Sequence, residues 1–140
     1  MASAHIGKRV AATVFDFLLF FAPYVIGASE TAPDAVRTAA AFASVGVLVA
    51  QAALLSRDGQ TFGKKIWRLR VVRRDTGENG GFVTNVLIRA TVAWIPNLFL
   101  AAFGSPPMWL LADGLALAWR DDGLSLHDLA AGTAVVEIPS

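Results

Sequence analysis

Gly59-Gln60-Thr61-Phe62-Gly63-Lys64-Lys65-Ile66-Trp67-Arg68-Leu69-Arg70-Val71-Val72 separates the apolar stretches on either side of it. It lies in a loop, 56–81, that carries Arg57, Lys64, Lys65, Arg68, Arg70, Arg73 and Arg74 against Asp58, Asp75 and Glu78. Short loops rich in Lys and Arg stay on the cytoplasmic side of a membrane, so this loop is expected there. Thr61 to Trp67 can form a short amphipathic helix, with Phe62, Ile66 and Trp67 toward lipid and Lys64 and Lys65 toward headgroups. Lys64, Lys65, Trp67 and Arg68 are the expected contacts to anionic headgroups. Leu69 to Arg74 has the β-branched character of a strand, and Thr76-Gly77 and Gly80-Gly81 break the chain after it.

Outward from this loop the chain divides into apolar segments at about 10–28, 38–55, 82–103 and 107–120. Lys8 and Arg9 precede the first, so it starts on the same side as the loop. At ~1.5 Å per residue it is long enough to cross a core of roughly 30 Å, with Pro23 as a kink. The second, Thr38 to Leu55, contains no charge. Ala39, Ala43, Gly46, Ala50 and Ala53 recur along it at spacings of four and three. Such a seam of small residues lets backbones approach closely in lipid. It suits either a dimer face or packing against the chain's own helices.

The third segment carries Arg89 and Pro96, and Gly104-Ser105-Pro106-Pro107 breaks it. The fourth, Met108 to Trp119, is only about 18 Å long as a helix. It either crosses a locally thinned bilayer or turns back as a re-entrant segment. A crossing puts the tail, 121–140, beside the basic loop. In that tail Ser125-Leu126-His127-Asp128 has the form of a capping box, Gly132 can end the short helix, and Thr133 to Ile138 can pair with Leu69 to Arg74. The expected fold is therefore an all-α membrane protein in a single domain, 1–140. It is a four-segment bundle, or three segments plus a re-entrant one, with a small amphipathic helix and short β-strands on the cytoplasmic side.

Composition agrees. Hydrophobic residues make up 55% of the 140 and charged residues 16%, with mean hydropathy +0.54. Soluble domains average about 25% charged residues. There is no cysteine, hence no disulfide and no thiolate chemistry. The N-terminal run is expected to be a retained anchor rather than a cleaved signal.

Three ionisable residues lie inside apolar segments, where a charge is costly and needs a partner or a function: Asp16, Arg89 and Asp113. Counted along their helices, all three lie ~10–12 Å from the cytoplasmic boundary. They are expected to meet as a cluster, with Arg9 as a second cation, either pinning the helices in register or binding a cation or proton. His5 and His127 are the only histidines, too few for an ordinary zinc site, and no metal or cofactor is expected. The glycine pair at Gly59 and Gly63 lacks the spacing of a phosphate loop. No nucleophile, base and orienting group are arrayed together, so no enzymatic activity is expected. The basic loop is accounted for by topology and lipid, so nucleic acid is not an expected partner.

Gly59-Gln60-Thr61-Phe62-Gly63-Lys64, continuing to Leu69 and Val71, resembles the signature loop of the RDD family of small bacterial membrane proteins. Arg9 followed by Asp16 is similar to the family's first-helix pattern. Leu126-His127-Asp128-Leu129-Ala130-Ala131-Gly132-Thr133-Ala134-Val135-Val136 is similar to its C-terminal block. The resemblance marks Arg9, Asp16 and Asp128 as family-pattern residues. It implies a multi-pass protein of the bacterial cytoplasmic (inner) membrane with both termini inside. The expected role is a non-catalytic accessory or structural subunit, as a homo-oligomer or within a larger membrane complex. The alternative is a small cation or proton transporter working through the intramembrane Asp/Arg cluster.

Overall fold

The computed structural model describes residues 4–104 and 108–139. The break at Ser105-Pro106-Pro107 lies outside the described residues, as do Met1–Ser3 and Ser140. Helix α1 spans Ile6–Gly27 and contains Pro23; the His5 side chain caps it by accepting from the Gly7 N–H. Helix α2 spans Asp34–Asp58. It starts behind Pro33 with an acid in its first turn and Arg57 in its last, the arrangement that complements the helix dipole. Gly59 ends it at φ 69°, the left-handed conformation that glycine adopts without steric cost.

Helices α1 and α2 form an antiparallel pair. The Cβ that Gly27 lacks would sit 2.8 Å from Ala40 Cβ, and the Ser44 hydroxyl donates to the Phe20 carbonyl at 3.3 Å. Both helices are long and apolar enough to cross a membrane. Only 6% and 11% of their most apolar windows are buried, so they are not core helices of a water-soluble domain.

Helix α3, Phe62–Ile66, is capped by the Thr61 hydroxyl, which accepts from the Lys64 N–H. Strand β1, Leu69–Arg73, follows. A π-helical segment, Val83–Ile88, runs directly into α4, Arg89–Ala102. Helix α5 spans Met108–Trp119 and α6 spans Leu126–Ala131. Strand β2, Thr133–Glu137, pairs antiparallel with β1, Leu69 facing Glu137 and Arg73 facing Thr133. The sequence anticipates this pairing, and the Ser125 capping box and the left-handed Gly132 are both present at the ends of α6.

The apolar core is small and lies at the polar end of the α1–α2 pair. It comprises Ala4, Ala12, Leu69, Val71 and Val135, with Leu55 and Trp67 packed against it. Ala4 N–H donates to the Val135 carbonyl at 2.8 Å, which ties the chain just before α1 to the edge of the two-stranded sheet. Elsewhere α1 and α2 present apolar surface outward, for example Leu18, Val25, Phe42 and Val49. That distribution suits a lipid surround.

Candidate functional site: a buried charge cluster

Asp128 is the centre of the site. It is the third residue of α6, fully buried, and its carboxylate closes the capping box on Ser125. Two guanidinium groups converge on it from different helices. Arg9 of α1, itself 6% exposed, places Nη2 2.5 Å from Oδ2. Arg89, the first residue of α4 and 8% exposed, ion-pairs with Oδ1 through Nη1. The same Nη1 donates to the Thr133 hydroxyl at 2.5 Å, and Arg9 donates to the Gly123 carbonyl. Burial alone would raise the Asp128 pKa, but Arg89, His127 and Arg9 together hold it well below the usual carboxylate range. It is a permanent anion between two permanent cations.

The network continues to α5. Arg89 Nη2 lies 2.8 Å from His127 Nε2, and His127 Nδ1 lies 2.7 Å from Asp113 Oδ2. The His127 backbone N–H donates to Asp113 Oδ1 at 3.0 Å. A guanidinium can only donate, so Nε2 accepts from it; Nδ1 then carries the proton and donates to Asp113. The two contacts fix the orientation of the His127 ring, and Asp113 fastens α5 to the tail.

Asp16 has other work. Its Oδ1 accepts from the Gly63 N–H at 2.8 Å, and its Oδ2 accepts from the Thr61 hydroxyl. The carboxylate on α1 therefore holds the N-terminal end of α3. Gly63 is required here: an added Cβ would lie 2.2 Å from the Ala12 carbonyl oxygen. Gln60 completes the loop by donating to the Leu69 carbonyl at 2.7 Å.

This docking leaves Lys64 and Trp67 partly covered by the chain itself. Because α3 is fastened to α1, Lys64 lies within electrostatic reach of Arg89, Asp16, Asp128 and Arg9. Although the residue is only partly covered, desolvation, followed by Arg89's repulsion, lowers its pKa to about 8. Trp67 packs edge-on against Phe15, ring centroids 6.0 Å apart. Lys65 pairs with Asp58 at 2.6 Å near the surface. Arg68 and Ile66 remain exposed.

The expected direct cluster of Asp16, Arg89 and Asp113 is corrected. Arg89 reaches Asp128 and meets Asp113 only through His127, while Asp16 is committed to α3. Position along a helix fixes depth but not azimuth, and the π-helical segment resets the azimuth of Arg89. Its wider turn carries the Arg89 N–H to the Thr84 carbonyl five residues back. The same turn buries Asn85, which donates to the Leu55 carbonyl at 3.3 Å and to Asn79 Oδ1 at 2.5 Å. Asn79 in turn donates to the Ser56 and Arg57 carbonyls. These amides satisfy the carbonyl end of α2, a role the sequence reading missed; paired asparagines after a basic helix end were the available signal.

The small-residue seam is not the face on which α2 meets α1. The contact runs through Ala40 and Ser44, one position round from Ala39 and Ala43. Nothing lies within 4 Å of where a Gly46 Cβ would sit, and Ala39, Ala43 and Ala53 are exposed. Ala50 is partly covered. Among the described residues, no group of three or more His, Cys, Asp or Glu side chains is placed to hold a metal ion.

Long apolar helices with outward apolar faces, closed at one end by a buried charge cluster, point to a helical membrane protein. The chain belongs to the RDD family, whose profile matches residues 3–132. Neither a curated protein nor a solved structure matches it. Within this chain Arg9 binds Asp128, and Asp16 binds Thr61 and Gly63.

Proposed function

We propose that this chain is a non-catalytic membrane subunit that packs against other helices of a larger assembly or of its own copies. In this reading four segments lie in the bacterial inner membrane, with the basic loop and both termini cytoplasmic. The observation that carries it is that the buried charges are used on one another and on backbone groups. Asp128 joins α1, α4 and α6; Asp16 joins α1 and α3; Asp113 joins α5 and α6. Side-chain donors also lie one residue from the carbonyls that Pro23 and Pro96 leave without a backbone donor. Ser44 donates to the Phe20 carbonyl, and the Asn97 amide donates to the Ala93 carbonyl at 2.6 Å. The exposed seam on α2 supplies the partner-facing surface, where close backbone approach drives association in lipid.

Proton or cation transport is the second reading. What favours it is Lys64, a cation with a pKa lowered to about 8 beside Asp16 and Asp128. The test of the subunit reading is purification from native membranes in mild detergent. Wild-type protein is expected to elute with itself or a partner, and Gly46→Leu with Ala50→Leu to lose that association. Recovery of the wild type as a lone monomer by native mass spectrometry overturns the proposal.

A further inference from the structure

A groove of about 610 Å³ opens between the end of β1, the π-helical segment and the end of α6. Small-molecule sites run from about 300 to 1,000 Å³. Its polar wall holds Arg73, Arg74 and Thr84, and Ile88 lies one turn beyond Thr84. The acceptors around it are already occupied. Asp75 accepts from Arg73 Nε at 3.1 Å and Nη2 at 2.8 Å, and also from the Thr76 N–H. The Gly132 carbonyl accepts from the Arg74 N–H at 2.9 Å. What remains is a pair of donors. The Arg74 guanidinium makes no hydrogen bond or ion pair among the described residues, and Asp122 lies within its electrostatic reach. The Thr84 hydroxyl likewise makes no hydrogen bond among them. Gly132 leaves space open, with nothing within 4 Å of where a Cβ would lie.

We infer that this groove binds the phosphate of an anionic phospholipid, with Arg74 and Thr84 as its donors. The Arg73–Asp75 pair is neutral, so Arg74 gives the groove a net positive charge. An arginine beside a hydroxyl matches a phosphate's acceptor oxygens. The apolar side selects a lipid over a free anion. Ile88 continues into the exposed face formed by Val83 and Leu87, at 60% and 49%, where an acyl chain lies along the helix. The site differs from the Lys64–Arg68 surface and rests on the membrane reading above.

The test uses the full chain in detergent, titrated with phosphatidylglycerol and with phosphatidylcholine of the same acyl chains, and read by native mass spectrometry. The wild type is expected to retain phosphatidylglycerol over phosphatidylcholine by about fivefold, the attraction of one basic residue for an anionic headgroup. Arg74→Gln is expected to remove the preference and Thr84→Val to weaken it, while Arg57→Gln, the same charge change at an exposed position outside the groove, keeps it. Equal preference in the wild type and Arg74→Gln overturns the inference. Displacement of the lipid by millimolar inorganic phosphate also overturns it, marking a free-anion site. Alkaline carbonate extraction of native membranes is run alongside. A chain released by carbonate defeats the membrane reading itself, whereas a retained chain without the Arg74 effect defeats only the groove.

Discussion

Removing the charge of Asp128 leaves two guanidinium groups facing each other inside the fold. Breaking a buried pair on one side costs about 3–5 kcal/mol, because the surviving charge keeps its desolvation penalty. Asp128→Asn is therefore expected to lower the stability of the detergent-solubilised protein by about that amount. Arg9→Gln should cost less, because Arg89 still neutralises the carboxylate. Thermal unfolding followed by circular dichroism distinguishes the two, and equal small losses would mean the buried pairs do not hold the fold. The surface pairs Lys8–Glu137, Arg73–Asp75 and Arg120–Asp122 are solvated on both sides and contribute little. Asp128 could be singled out from its capping pattern, but not its double partnership. That partnership depends on the rotation of Arg89 about its helix axis, and no spacing in the sequence announces a π-helical turn. His127 was visible as a tail histidine, and Asp113 as a member of an intramembrane cluster with Arg89 and Asp16; only the fold places one against the other.

At the scale of elements, the loop 59–72 works as a fastener between α1 and the two-stranded sheet. Thr61 and Gly63 hold Asp16, Gln60 holds Leu69, and Leu69 and Val71 fill the core. Gly63→Ala places a methyl 2.2 Å from the Ala12 carbonyl oxygen, so α3 must leave α1 and both Asp16 bonds are lost. Gly46→Ala meets nothing within 4 Å. The first substitution is expected to destabilise by about 2–4 kcal/mol, through overpacking plus lost hydrogen bonds. The second should leave the monomer's stability unchanged or raise it through helix propensity. Limited proteolysis after Arg68 reads the difference directly, and equal cleavage of the two variants would contradict the fastening. Caps and strands were legible here because they depend on near neighbours. The partial covering of Lys64 was not, because amphipathic patterning assumes that a short helix meets the membrane, whereas Gly63 draws this one onto α1.

For the whole molecule, the polar groups collect at one end and the apolar helices extend from it. The π-helical segment and α4 run unbroken from Val83 to Ala102, comparable in reach to α1. The proposed topology puts Glu30 outside and Arg73 inside. Cysteines introduced at those positions are expected to react with an impermeant thiol reagent in intact cells at position 30 alone. Labelling at 73 would invert the arrangement. The apolar lengths of α1 and α2 were legible from hydropathy. The exposure of the α2 seam was not, because a seam and the helix face beside it share the same small-residue character.

The central claim is that the buried charges hold helices together and carry no ion. Purified protein in proteoliposomes with an entrapped pH dye, under imposed sodium or potassium gradients, tests it directly. The account predicts a proton flux no greater than that of protein-free vesicles, for the wild type and for Asp16→Asn alike. A robust wild-type flux, abolished by Asp16→Asn while the protein remains folded and inserted, would contradict it.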